Sequence, residues 1–90
     1  MLNVSDDAIA ITKRFFIALD LLREQKKIRG VKTFTNKYNL NYWNMVTLKK
    51  EPHKRILKTE YIMYLVRDFS VSPMWLLLGE GEPILTQHVI

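Results

Sequence analysis

The stretch Ser72-Pro73-Met74-Trp75-Leu76-Leu77-Leu78-Gly79-Glu80-Gly81-Glu82-Pro83 constrains this chain more than any other. Ser72 is a good helix N-cap, because its hydroxyl accepts one of the orphan N–H groups of the first turn. Pro73 suits the first helical position, where a missing N–H costs nothing. Gly79 fits the left-handed position that ends a helix, and Pro83 discourages a restart. Between these punctuation marks Trp75, Leu76, Leu77 and Leu78 wrap most of a single helical turn in apolar surface, so the short helix is expected to be largely buried. A six-residue helix is too short to stand alone and must be held by the rest of the chain.

The preceding sequence supplies four more helical patterns and no strand pattern of any length. Ser5 followed by Asp6 and Asp7 is a helix start, a capping hydroxyl and two carboxylates favoured by the helix dipole. Ile9, Phe16 and Leu19, with Ile11, Phe15, Ala18 and Leu22, then form two adjacent apolar stripes. The pattern fades at Gln25-Lys26-Lys27, and Gly30 marks a break. Val31, Phe34, Thr35 and Tyr38 line one face of a second helix. Asn39 is one of the few non-glycine residues that accept a left-handed backbone, and Leu40 returns to the core. Asn41 can cap a third helix, over about 41–50, whose inward residues are Met45 and Leu48; the Glu51-Pro52 step ends it. Ile62, Leu65, Val66 and Phe69 form the stripe of a fourth helix, with Thr59 as its expected cap. The single core is expected to contain Phe16, Leu19, Leu22, Phe34, Leu40, Met45, Leu48, Leu65, Phe69, Trp75 and Leu78, with residues 84–90 as a tail.

A helix, a turn pivoting on a left-handed residue and a second helix of similar length make the helix-turn-helix pattern. Together with Phe34-Thr35-Asn36-Lys37-Tyr38-Asn39-Leu40, the stretch Asn41 to Lys50 and the V-S-x-x-W-L-L-x-G-x-G run from Val71 to Gly81, it resembles the DNA-binding domain of the phage repressor (Cro/CI-like, XRE-type) family. The resemblance covers residues 8 to 83. It implies an all-α, five-helix lambda-repressor-like domain over residues 1–83, a third helix that enters the major groove of double-stranded DNA, and a dimeric transcriptional regulator. The chain departs from the family pattern at three places. Asn39 replaces the usual glycine, Thr35 stands where a small alanine is usual, and Val31 stands where a glutamine often anchors a phosphate, which leaves Lys32 for that task.

Charge agrees with this reading. The net charge of the chain is +5, but residues 26–58 hold ten basic side chains and one acid, a local +9, while the flanking segments are −1 and −3. Such segregation is the electrostatic footprint of a polyanion binder. Carried over from the family by position, the outward residues at the start of the third helix, Asn41, Tyr42, Trp43, Val46 and Thr47, inherit the base-reading role. The types at the centre of the outward face, beyond Asn41, are unusual for it. Arg, Asn and Gln make the common bidentate base contacts, whereas Trp43 and Val46 suit thymine methyl groups and Thr47 suits a base or a phosphate. Lys32, Lys49, Lys50, Lys54 and Arg55 bracket this helix and are the expected phosphate contacts.

Other chemistries have little support. There is no cysteine, so disulfide scaffolds and thiol catalysis are excluded and a reducing cytoplasm is compatible. His53 and His88 lack the company of other ligands, and neither a Gly-rich phosphate loop nor a nucleophile elbow is present. No enzyme activity, metal or cofactor is expected. No apolar run approaches the roughly 20 residues of a membrane span, and no targeting segment is evident. Two rival readings stay open. Tyr42, Trp43 and Val46 make an exposed patch that fits a protein-interaction module of antitoxin-like or accessory kind, and charge with aromatics also fits RNA. A homodimer is expected through the last helix and the tail, with Ile84, Leu85, Val89 and Ile90 adding apolar surface.

Overall fold

In the computed structural model, which describes residues 4–85, the described chain is all-helical, with five helices: α1 (Asp6–Glu24), α2 (Val31–Lys37), α3 (Tyr42–Lys50), α4 (Thr59–Phe69) and α5 (Pro73–Leu78). The anticipated caps form. Ser5 accepts from the Ala8 N–H, Asn41 Oδ1 from the Asn44 N–H at 2.9 Å, and Ser72 Oγ from the Trp75 N–H at 3.2 Å. The fourth helix differs: its cap position is Lys58, with no side-chain hydrogen bond, and Thr59 is already the first helical residue.

Four of the helices stop at a residue with a left-handed backbone. These are Lys26 (φ 61°) after α1, Asn39 (55°) after α2, Ser70 (56°) after α4 and Gly79 (72°) after α5. After Lys26, Asn39 and Ser70 the chain folds an apolar residue, Ile28, Leu40 or Val71, back against the core. Hydrogen bonds that reach back into the helix accompany each stop, from Lys27 N–H to Leu22 C=O, Leu40 N–H to Thr35 C=O and Val71 N–H to Leu65 C=O. This is the expected coupling of a left-handed cap to a returning hydrophobic residue.

Helix α1 is the spine. Phe15, Phe16, Ala18, Leu19 and Leu22 are buried along it, and it packs against α3 and α5. Phe15 meets Phe16 and Phe34 edge-on, at 5.1 Å and 5.6 Å between ring centres, within the range that aromatic pairs favour. Thr12 and Thr35 are buried without loss, because each hydroxyl donates to a carbonyl of its own helix, Ala8 and Lys32 respectively. Among the described residues no buried side-chain nitrogen or oxygen lacks a partner. No helix described is long and apolar enough to cross a membrane.

The last helix corrects the sequence expectation. Only Leu76 is fully buried; Trp75 is half-buried against the core, while Met74, Leu77 and Leu78 are exposed, Leu78 at 60%. A helix of fewer than two turns has room for one or two residues on its inner face, whatever its neighbours' polarity. Leu78 is therefore not a core residue. Leu40 and Phe69 also sit at the margin of the core, and Phe15, Ala18, Ile28, Val71 and Leu76 are buried in addition to the expected core set.

Two devices fasten α5. Arg14 on α1 donates from Nε to the Leu76 carbonyl at 2.8 Å and from Nη2 to the Leu77 carbonyl at 3.1 Å. These are end-of-helix carbonyls with no partner inside the helix, and a cation there also complements the helix dipole. On the other side, Val71 and Ile84 form an isolated antiparallel bridge, flanked by Ser72 N–H to Pro83 C=O and Leu85 N–H to Ser70 C=O, both 2.8 Å. Ile84 thus packs on the core, whereas Val89 and Ile90 lie outside the described residues.

Candidate nucleic-acid interface

Helices α2 and α3 pack on one another across the turn Tyr38–Asn41. Leu40 leaves the left-handed Asn39 and returns to the core, so the start of α3 is fixed relative to the end of α2. Tyr38 anchors the other side of the turn. Its ring stacks on Tyr64 of α4 at 3.9 Å and 3° between planes, and its hydroxyl donates to Asp68 at 2.5 Å. Asp68 is also gripped by Arg67 at 2.9 Å. The Arg67 and Tyr38 hydrogen bonds hold the Asp68 carboxyl at about 2, well below its usual value, while burial raises the Tyr38 phenol.

Helix α3 is anchored by Met45 and Leu48, both buried, as their three-residue spacing at 100° per residue leads one to expect. That orientation turns the opposite face outward. Trp43 is 72% exposed, Val46 and Thr47 are partly exposed, and Lys49 and Lys50 stand free in the last turn. The Tyr42 ring lies edge-on to Trp43 at 5.2 Å, and Lys32 Nζ from α2 sits 5.9 Å from the centre of the Tyr42 ring. The cation and two aromatics form a continuous line from α2 to the start of α3, an arrangement in the range of cation–π attraction.

Two side chains expected to hydrogen-bond outward have used part of that capacity. Asn41 Oδ1 is occupied by the cap, which leaves its NH2 as the group that can face a ligand. The Thr47 hydroxyl donates back to the Trp43 carbonyl at 2.8 Å. Its single hydrogen is spent, so Thr47 can accept but not donate, and its methyl is the other group on Cβ.

The remaining expected contacts divide. Lys54 is exposed and lies 3.9 Å from Glu51, a long, weak surface pair. Arg55 is exposed too, but it borders a cleft of about 320 Å3 floored by Met45 and Leu48 and rimmed by Asn44, Arg55, Lys58 and Tyr61. Lys58 and Asn44 were not singled out by sequence. The signal for Lys58 is its place just ahead of α4, on the same loop as Lys54 and Arg55; for Asn44 it is the helical angle that puts it beside Met45 and Leu48. Among the described residues no group of three or more His, Cys, Asp or Glu side chains is placed to hold a metal ion. No family model matches the chain, and neither a curated protein nor a solved structure matches it.

Proposed function

We propose that this chain is a double-stranded DNA-binding domain of helix-turn-helix type, with α3 in the major groove, serving as a cytoplasmic transcriptional regulator of the phage-repressor kind. The observation that carries the reading is a coincidence of charge and shape. The segment with a local charge of +9, residues 26–58, contains α2, the Asn39 turn and α3, which carry four of its lysines, while its other basic residues lie in the flanking loops; α3 keeps its two large apolar anchors inside while its other face is open. Lys32 from α2, Lys49 and Lys50 from the end of α3, and Lys54 and Arg55 from the following loop flank that face and suit phosphates on either side of a groove.

The second copy needed to read a two-fold site would sit on α5. Met74, Leu77 and Leu78 present apolar surface there, and Ile17, one turn along α1 from Arg14, is exposed as well. Met74, Leu77 and Leu78 belong to the acidic third of the chain and Ile17 to its first segment, both outside the basic stretch 26–58, so association would leave the DNA side free.

Duplex binding followed by fluorescence anisotropy over a salt series tests the reading. Each phosphate contact removed by Lys49→Gln, Lys50→Gln or Arg55→Gln is expected to weaken binding to all duplexes alike and to flatten the log–log salt slope by about 0.9. Normal binding by all three variants at moderate salt would refute it. The exposure of Trp43 favours one second reading, a protein-interaction module built on Tyr42, Trp43 and Val46. In that case binding to duplex DNA would be weak and indifferent to Trp43→Ala.

A further inference from the structure

We infer that the α3 face recognises the C5-methyl groups of pyrimidines in the major groove, rather than the hydrogen-bonding edges of the bases. The inference rests on the DNA-binding reading above and adds to it what is read. A helix that specifies sequence through hydrogen bonds needs free, directional donors and acceptors at its outward positions. The common choices are Arg or Lys to guanine, Asn or Gln to adenine, and Asp or Glu to cytosine. Helix α3, Tyr-Trp-Asn-Met-Val-Thr-Leu-Lys-Lys, contains no Arg, Gln, Asp or Glu. Its one internal amide, Asn44, is exposed but lies to the side of the outward face, bordering the cleft with Met45, Leu48 and Tyr61. Its lysines come in the last turn, where they suit phosphates.

What remains at the centre of the outward face is mostly apolar, its free donor being the Trp43 indole N–H, with the Asn41 amide at the helix start. Trp43, Val46 and Thr47 are spaced three and four residues apart and so share one face. The Trp43 ring is largely open to solvent but steadied by the edge-on Tyr42 ring. Val46 offers two methyls. Thr47, whose hydroxyl hydrogen is committed to the Trp43 carbonyl, offers a third methyl in place of a donor. The internal bond also removes a cost: an outward donor with no base partner would lose water without compensation on binding. The C5-methyl group is the one apolar feature on the major-groove edge of a base pair. It occurs on thymine and on 5-methylcytosine, and these are the two sources this surface would accept.

The test begins with selection of a duplex from random DNA by the full chain at moderate salt. Each thymine of the selected site is then replaced by deoxyuridine, which deletes the C5-methyl and leaves every hydrogen-bonding group in place. Two or three positions are expected to lose about 3–10-fold in affinity, roughly what one buried methyl group contributes. At those positions a C·G pair should bind poorly and a 5-methylcytosine·G pair should recover part of the loss. Trp43→Ala and Val46→Ala should bind the thymine and deoxyuridine duplexes equally, while Lys50→Gln should weaken both and keep their ratio. A selected site bound with preference over random DNA, yet unchanged within twofold when every thymine is replaced, would overturn the methyl inference and leave the DNA reading standing. No enrichment of any duplex would overturn both.

Discussion

Replacing Arg14 with methionine keeps most of the aliphatic stem and deletes the guanidinium that ends α5. The structure sets the size of the effect. The single N–H of Gly79 is shared between the Met74 and Trp75 carbonyls, so the next two carbonyls, of Leu76 and Leu77, depend on Arg14 at 2.8 Å and 3.1 Å. A hydrogen bond from a charged donor contributes about 1.5–3 kcal/mol when shielded from water. The bond to Leu76 is partly buried and the bond to Leu77 is exposed, so the second adds little, and the dipole interaction overlaps with both. About 1.5–2 kcal/mol is therefore expected for Arg14→Met. For a domain of this size that corresponds to roughly 6–15 °C in Tm. Urea unfolding followed by far-UV circular dichroism measures it, with an unchanged m-value as the check that the unfolded state is the same. Arg14→Lys keeps the charge but has no planar fork to serve two carbonyls, so it should recover only part of the loss. A cost below about 0.5 kcal/mol for Arg14→Met would refute the assignment of Arg14 as the fastening of α5.

Two further outcomes follow from burial and from charge. Leu76→Ala, at a side chain with no exposure, should cost about 2–5 kcal/mol in urea unfolding, whereas Leu78→Ala should stay within about 0.5 kcal/mol; on the dimer reading, sedimentation of Leu78→Ala should also show weaker self-association. Asp68 has a folded-state value depressed below the ordinary 3.8 to about 2, so its contribution to stability is present above the ordinary value and is lost as pH falls between the two. An NMR carboxyl titration should find Asp68 at about 2, moving upward in Tyr38→Phe but not to 3.8, because Arg67 remains; an ordinary value in the unsubstituted chain would refute the network.

The helices and most of their ends were legible from residue chemistry alone. Ser72, Pro73 and Gly79 announced both ends of α5, Asn39 announced the turn before α3, and the spacing of Met45 and Leu48 oriented α3. What escaped has common causes. Lys26 and Ser70 take the same left-handed conformation as Asn39 but belong to residue types that seldom do, so nothing local marks them. The Arg14 clasp joins residues 62 positions apart. Leu78 looks internal because apolar composition names no direction on so short a helix. At the candidate interface, the outward set could be named from helical angles, and the exposure of Trp43 agrees with it. The spent hydroxyl of Thr47 could not, since an i−4 bond is one of several that a threonine can choose.

The bridge between Val71 and Ile84 makes α5 a conditional element in the order of folding. Six residues cannot nucleate a helix unaided, and the partners that close the loop around these six, Pro83, Ile84 and Leu85, are the last described residues of the chain. As the chain leaves the ribosome, α1 through α4 emerge first, and the α1 surface that α5 covers stays wet until residue 84 is free. The side of α1 that carries Arg14 is thus completed late, by a hem sewn from residues 83–85 rather than by a helix waiting to dock. A chain stopped before Pro83 would lose this closure as one unit, although every residue of α5 would still be present.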